Sequence, residues 1–154
     1  MRMHSAFVIF CLLVLLFIPG CTRTENNAGE AQRGIIEIRE TMFLTHINHI
    51  YMNSRSYLGR TIRLEGVFIQ QQWGRQNLQI VFRRTPDSCC GVPGMVGFEV
   101  AWAENQGQAF PESGSWVEAT GVFRVGQRGT QRYYFLELLS LNVLERRGAE
   151  FVMR

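Results

Sequence analysis

The stretch TIRLEGVFIQ, residues 61–70, decides the fold, because its apolar and charged residues alternate. Ile62 and Leu64 alternate with charged neighbours, which is the period of two of a half-buried strand. Gly66 then interrupts the pattern, and a glycine inside a strand is typical of a bulge or a sharp bend. We therefore predict a strand that bends within a curved β-sheet.

Strand patterns continue toward the C-terminus. Four further strands are predicted at 77–84, 95–102, 116–125 and 132–144. Gly121 interrupts the fourth strand as Gly66 interrupts the first. We predict a hairpin turn at 126–129 and one helical turn within the polar connection 103–115. Five strands with bends in the first and fourth are typical of an OB-type barrel. The alternative is an open antiparallel sheet with one helix packed on it.

An amphipathic helix is predicted over residues 41–52, ahead of the strands. Its apolar face comprises Phe43, Leu44, Ile47, Ile50 and Tyr51. A short apolar lead, 35–38, precedes it, residues 53–56 end it, and 58–60 form a turn. We therefore expect residues 35–154 to be one mainly β domain, a five-stranded OB-type barrel preceded by one amphipathic helix.

The N-terminus has the pattern of a bacterial secretion signal. Thirteen apolar residues, 6–18, follow a basic start. As a helix they would span roughly 20 Å, less than the roughly 30 Å of a bilayer core. The run ends in Pro19, Gly20 and Cys21, which resembles the lipobox of bacterial lipoproteins. The alternatives are a plain signal peptide and an uncleaved anchor.

The lipobox resemblance implies a cellular address. We predict a lipoprotein signal peptide over 1–20, a Cys21 that carries diacylglycerol and palmitate, and a flexible polar tether over 21–34. The protein would then be extracytoplasmic and anchored to a bacterial membrane through Cys21, the outer membrane if the host has one.

Composition and charge exclude several function classes. The aromatic content of 12% excludes a disordered chain, and the net charge of +3 is too small for binding driven by phosphate attraction. We therefore expect no nucleic-acid partner. The sequence contains one Asp and no motif of a nucleophile with its base. We do not expect an enzyme, with a redox role as the main exception.

Cys89 and Cys90 are the most informative pair of residues. Their Cα atoms are about 3.8 Å apart, below the roughly 4.4 Å that ordinary disulfides need, so a bond between them would be strained and easily reduced. Three interpretations remain open. The pair binds a soft metal such as Zn or Cu, acts as a reducible switch, or packs as two small buried side chains.

Three other residues are candidates to support that chemistry. His46 and His49 are three residues apart on the predicted helix, and they would complete a Cys₂His₂ metal site if the helix lay beside the cysteines. The alternative is a solvated histidine pair. The positive charge of Arg83, shortly before the cysteines, would favour their thiolate form.

Short segments along the domain carry a family resemblance: 36–38, 50–53, 57–67, 82–83, 88–90, 96–97, 116–117 and 120–121. They resemble the C-terminal domain of the YcgQ-type membrane protein family, a permease-associated domain of unknown function. The resemblance implies a permease-type partner. Two features depart from it: a lipoprotein signal replaces the family's N-terminal transmembrane part, and residues 91–94 lack the Asp usual after the Cys pair.

Together these features predict a lipid-anchored extracytoplasmic accessory or binding module of unknown ligand. In this hypothesis it is the partner subunit of a permease and handles metal at Cys89 and Cys90. The alternatives are a thiol redox protein that uses the same two cysteines, and an envelope scaffold without reactive thiols.

Overall fold

A computed structural model describes residues 34–86, 93–104 and 106–152. Six strands form one mixed sheet: β1 Ile36–Ile38, β2 Thr61–Trp73, β3 Gln76–Thr85, β4 Gly94–Trp102, β5 Trp116–Arg128 and β6 Gln131–Val143. Between β1 and β2 lie a 3-10 turn and two helices: Glu40–Met42, α1 Phe43–Met52 and the single-turn α2 Ser54–Tyr57. The predicted mainly β class is confirmed.

The sheet closes on itself through its five long strands. Its order is β1-β2-β3-β4-β6-β5, and β5 also pairs with β2, which completes a ring. The β1–β2 and β4–β6 pairings are parallel, and the others are antiparallel. The expected arrangement of five long strands preceded by one amphipathic helix is therefore confirmed, and the alternative of an open antiparallel sheet is wrong.

Two glycines allow the long strands to curve. A Cβ at Gly66 would lie 2.6 Å from the carbonyl oxygen of Phe82, so only glycine fits this close approach. The next residue, Val67, pairs with both β3 and β5, and it marks the point where β2 changes partner. The β5–β6 register shifts between Thr120 and Gly121. The extra residue is Leu139 of β6, so the predicted interruption at Gly121 lies opposite a β-bulge in the neighbouring strand.

Apolar side chains from the sheet and from α1 share one core. Phe43, Ile47 and Ile50 of α1 are buried, at the spacing that the predicted helical face requires. The interior of the ring contributes Ile62, Leu64, Phe68, Val81, Phe98, Val100, Phe123, Leu136 and Leu138. Full burial of each such side chain is worth about 1.5–3 kcal/mol, so α1 is held firmly against the sheet.

Four local predictions need correction. Residues 35–38 provide strand β1, whose Ile36 pairs with Ile62 of β2. The segment 53–56 does not simply end the helix, because α2 follows within it. The described part of 103–115 contains no helical turn. The hairpin turn lies at 129–130 and not at 126–129, because β5 stays paired with β6 through Arg128.

The membrane predictions fall mostly outside the described residues. The signal peptide 1–20, Cys21 and all but the last residue of the tether 21–34 lie there. In the part of the chain that the structure describes, no helix combines the length and the hydropathy needed to cross a bilayer.

Candidate functional site

The segment that carries Cys89 and Cys90 connects β3 to β4, and residues 87–92 of it are outside the described residues. The strands on either side are described up to its base. Here we call residues 83–85 and 94–96 the stem. Its three cross-strand pairs end with Thr85 opposite Gly94. A Cβ at Gly94 would lie 2.5 Å from Thr85 Oγ1, so the two strands are close at the base of the connection.

Arg83 is the first β3 residue of the stem and is 2% exposed. Its Nε donates a hydrogen bond to the carbonyl oxygen of Glu65 at 2.9 Å. Its Nη1 donates to Glu40 Oε2 and to the carbonyl oxygen of Ala149, both at 2.9 Å. A planar guanidinium has donors in fixed directions, so these contacts hold β3 to β2, to the 3-10 turn and to the C-terminal residues.

Two aromatic rings contact the Arg83 guanidinium. Its central carbon lies 5.0 Å from the ring centroid of Phe43 and 4.8 Å from that of Trp116. The indole N–H of Trp116 donates to Glu65 Oε2 at 3.4 Å, next to the same guanidinium. Rings favour a desolvated cation through their negative faces, so burial of this charge is offset by both hydrogen bonds and cation–π contacts.

Glu40 connects Arg83 to the C-terminal residues. Its Oε2 accepts the Ala149 backbone N–H at 3.0 Å as well as the Arg83 guanidinium. These two donors stabilise the carboxylate, the backbone N–H contributing most, and they lower the pKa of Glu40 below its ordinary value of 4.5. Glu40 is therefore ionised across the physiological range.

Residues 145–152, called here the C-terminal strap, lie along the end of β3. The backbone N–H of Arg84 donates to the carbonyl oxygen of Glu150 at 2.7 Å, and that of Val152 donates to the carbonyl oxygen of Arg84 at 2.8 Å. Arg84 Nε also contacts Glu150 Oε1 at 2.7 Å. Val152 is 3% exposed and joins the core. The strap therefore braces the strand that leads to the two cysteines.

The predicted role of Arg83 beside the thiols stays a prediction, because Cys89 and Cys90 are outside the described residues. The described partners of Arg83 are two carboxylates, of Glu40 and Glu65, two carbonyl groups and two rings. Sequence reasoning missed these partners. One available signal was the strand alternation, which puts Arg83 on the same face as the buried Val81 and so predicts a charge that points inward.

Both histidines lie on α1, and His49 contacts α2. His49 is exposed, and its Nδ1 is 2.8 Å from the hydroxyl of Tyr57. His46 is half-buried, and its Nδ1 is buried with no described hydrogen-bond partner. Among the described residues, which exclude both cysteines, no three His, Cys, Asp or Glu side chains are grouped to hold a metal. The Cys₂His₂ site therefore stays a prediction.

Tyr51 is the residue of α1 that contacts β4 near the stem. Its hydroxyl donates to the carbonyl oxygen of Gly97 at 3.0 Å, and its ring lies 5.3 Å from that of Phe98. Although 40% of Tyr51 is exposed, this hydrogen bond holds its hydroxyl against β4. Desolvation first, and then the charge of Glu99, raise the pKa of Tyr51 to about 12. This hydroxyl is therefore a neutral hydrogen-bond donor at physiological pH.

A family model for the DUF1980 C-terminal domain matches residues 21–144. The chain belongs to this family. The DUF1980 match covers the helix, all six strands and both Cys89 and Cys90, and it ends before the strap. No curated protein matches the chain. Membership of an uncharacterised domain family is confirmed, while the permease association and the lipoprotein signal remain predictions.

Proposed function

We propose that this DUF1980-family protein is a lipid-anchored extracytoplasmic accessory domain that binds a soft metal ion through Cys89 and Cys90 for a permease-type membrane partner. The observation that carries the proposal is the braced stem. Both ends of the connection 86–93 leave a paired strand ladder, and one of those strands is fixed by Arg83 and the strap.

A braced stem of this kind is better suited to carrying a metal-binding or ligand-binding loop than to closing a plain turn. Metal and binding residues in proteins commonly lie on loops that a rigid scaffold positions. Arg83 is held by three hydrogen bonds and two rings, a costly arrangement because a charge is removed from water. Two adjacent thiolates at the end of this scaffold would offer soft ligands, which Zn²⁺ and Cu⁺ prefer.

The proposed anchor agrees with the length of the tether. A flexible tether over the 14 residues 21–34, as predicted, would have a root-mean-square reach of about 20 Å. A domain held by lipidated Cys21 would therefore stay close to the bilayer, within reach of a membrane-embedded partner. The resemblance to the permease-associated family supports that class of partner, and the net charge of +3 argues against nucleic acid.

Metal binding is tested with full-length protein purified in detergent without chelator. Native mass spectrometry and elemental analysis should find stoichiometric Zn or Cu in the wild type and none in the Cys89→Ser, Cys90→Ser double variant. Ser88→Ala is the matched control, because it alters the same connection and keeps both thiols.

Each other outcome identifies an alternative function. A loss of two hydrogens on oxidation, with no bound metal, would replace metal handling with thiol redox chemistry. Two free, unreactive thiols without metal would exclude both metal handling and redox chemistry, and would leave the envelope scaffold as the function.

The anchor is tested by labelling cells with radioactive palmitate. The wild type and Cys11→Ala should be labelled, because Cys11 lies in the signal segment that is removed. Cys21→Ala should not be labelled. An unlabelled wild type, or equal labelling of Cys21→Ala, would contradict the lipid anchor.

A further inference from the structure

The β2–β3 hairpin extends past the core and carries a row of side-chain amides on one face. In its register, Gln70 pairs with Gln79 and Gln72 pairs with Asn77. Because side chains alternate along strands, these four lie on the same face as the core residues Phe68 and Val81. We call this set the amide ladder: Gln70, Gln72, Asn77 and Gln79.

The amide ladder has unused hydrogen-bonding capacity. Gln70, Gln72 and Asn77 are exposed, and Gln79 is half-buried. Within the described part of the chain, the one hydrogen bond made by a ladder side chain joins Gln72 Nε2 to the carbonyl oxygen of Gly74, at 3.3 Å. Each amide offers two donors and two acceptor lone pairs. The ladder is thus a neutral surface with donors and acceptors side by side.

An aromatic border adjoins the ladder. Phe110, from the connection between β4 and β5, stacks on Phe68 with ring centroids 5.5 Å apart. The Trp102 ring lies 6.2 Å from Phe110, and its buried Nε1 has no described partner. Ser113 of the same connection accepts the backbone N–H of Gln70 at 2.9 Å. The connection therefore packs Phe110 and Ser113 against β2 next to the amides, while Trp102 is the last residue of β4.

The chemistry of this face selects a neutral, hydroxyl-rich ligand. None of the four ladder side chains is charged, whereas a nucleic-acid strand needs Lys or Arg against its phosphates. Side-chain amides can donate to and accept from hydroxyl groups in pairs, and aromatic rings can cover the apolar C–H faces of sugars. We propose that the amide ladder and its Trp102–Phe110 border bind a neutral oligosaccharide.

This surface is separate from the cysteine connection. On β3, Gln79 is four residues from Arg83 and Asn77 is eight residues from Thr85, so the ladder begins roughly 13 Å from the stem and extends to roughly 26 Å from the end of the strand. Glycan binding would therefore let one end of the domain contact a polysaccharide while the stem end engages another partner. The inference does not depend on metal binding or on the lipid anchor.

The experiment measures binding of chitohexaose, cellohexaose and maltohexaose to the full-length protein by isothermal titration calorimetry. At least one should bind, and Gln72→Leu with Asn77→Leu should weaken it about tenfold or more, equivalent to about 1.4 kcal/mol. The matched control is Gln71→Leu with Gln76→Leu, which changes the opposite face of the same hairpin and should leave the affinity unchanged.

Every other outcome overturns the proposal. It fails if none of the three oligosaccharides binds, or if the ladder and control variants lose affinity equally. Salt-sensitive binding of a dT oligonucleotide that needs the ladder would assign the face to nucleic acid instead. Dimerisation that the ladder variant abolishes would assign it to a second copy of the chain.

Discussion

Replacement of Arg83 by Met should destabilise the domain by about 2–4 kcal/mol. Methionine has about the length of the aliphatic part of the arginine side chain and keeps the site filled. A cavity therefore contributes little to the loss of stability. The loss comes from the guanidinium, which is buried between Phe43 and Trp116 and makes three hydrogen bonds.

The size of this loss in stability depends on whether water can replace the guanidinium at each of its former hydrogen-bond acceptors. Glu40 is about half exposed and Ala149 is exposed, so water can replace the lost donor at both. The carbonyl of Glu65 loses its side-chain donor, which costs about 1–3 kcal/mol when the group stays buried. The missing cation between two rings adds about 1 kcal/mol, which brings the total to about 2–4 kcal/mol.

Urea denaturation followed by tryptophan fluorescence measures this loss, and the melting temperature should fall by about 8–15 °C. Arg63→Met is the matched control. Arg63 is partly exposed, and its described contact is one long hydrogen bond from Nε to Thr120 Oγ1, at 3.4 Å. The control should lose less than about 1 kcal/mol.

A loss below 1 kcal/mol for Arg83→Met would refute the reasoning. It would mean that the desolvation of the buried cation cancels its hydrogen bonds and ring contacts, as happens for some buried ion pairs. Arg83 would then not be a brace of the stem, and the main support for the proposed function would be lost.

Three further predictions concern the same network and the sheet beside it. The pKa of Glu40 is lowered in the folded state, so its contribution to stability is complete above pH 4.5 and is lost as pH falls through the folded-state value. Denaturation at several pH values should show a smaller acid loss for Glu40→Gln than for the exposed control Glu112→Gln, and equal losses would contradict the network. Gly97→Ala should cost about 1–3 kcal/mol, because its Cβ would overlap a carbonyl oxygen of β3. Gly34→Ala, where no described atom lies within 4 Å, should be near neutral, and similar thermal shifts for both would count against close strand packing. Val152→Ala should cost about 1–2 kcal/mol and speed amide hydrogen exchange in the strap, whereas unchanged exchange would show that the strap is not held by its buried end.

Local patterns in the sequence were enough to place most of the helix and strands. The alternation in 61–70 and the helical spacing of Phe43, Ile47 and Ile50 are properties of consecutive residues, and the observed elements start and end within three residues of most predictions. Gly121 was also identifiable, because a glycine within a strand pattern indicates an irregularity, and a register shift occurs there.

The candidate site was predictable only in part. The adjacent cysteines are evident from the sequence, and Arg83 was identified as a nearby cation. Its partners were not identified, because Glu40 and Ala149 are 43 and 66 residues away and nothing in their local sequence distinguishes them. The amide ladder was also missed, since cross-strand pairs exist only once the hairpin register is known.

The sequence by itself determined the hydrophobic periodicity of each segment, the positions of the bends and the apolar faces. These features depend only on residues that are neighbours in the chain. The tertiary structure alone decided the β2–β5 closure, the parallel pairing of β1 and the burial of Arg83. Those features join segments far apart in the chain, and they form only when the gain from burying the whole core exceeds the entropy lost in bringing the segments together.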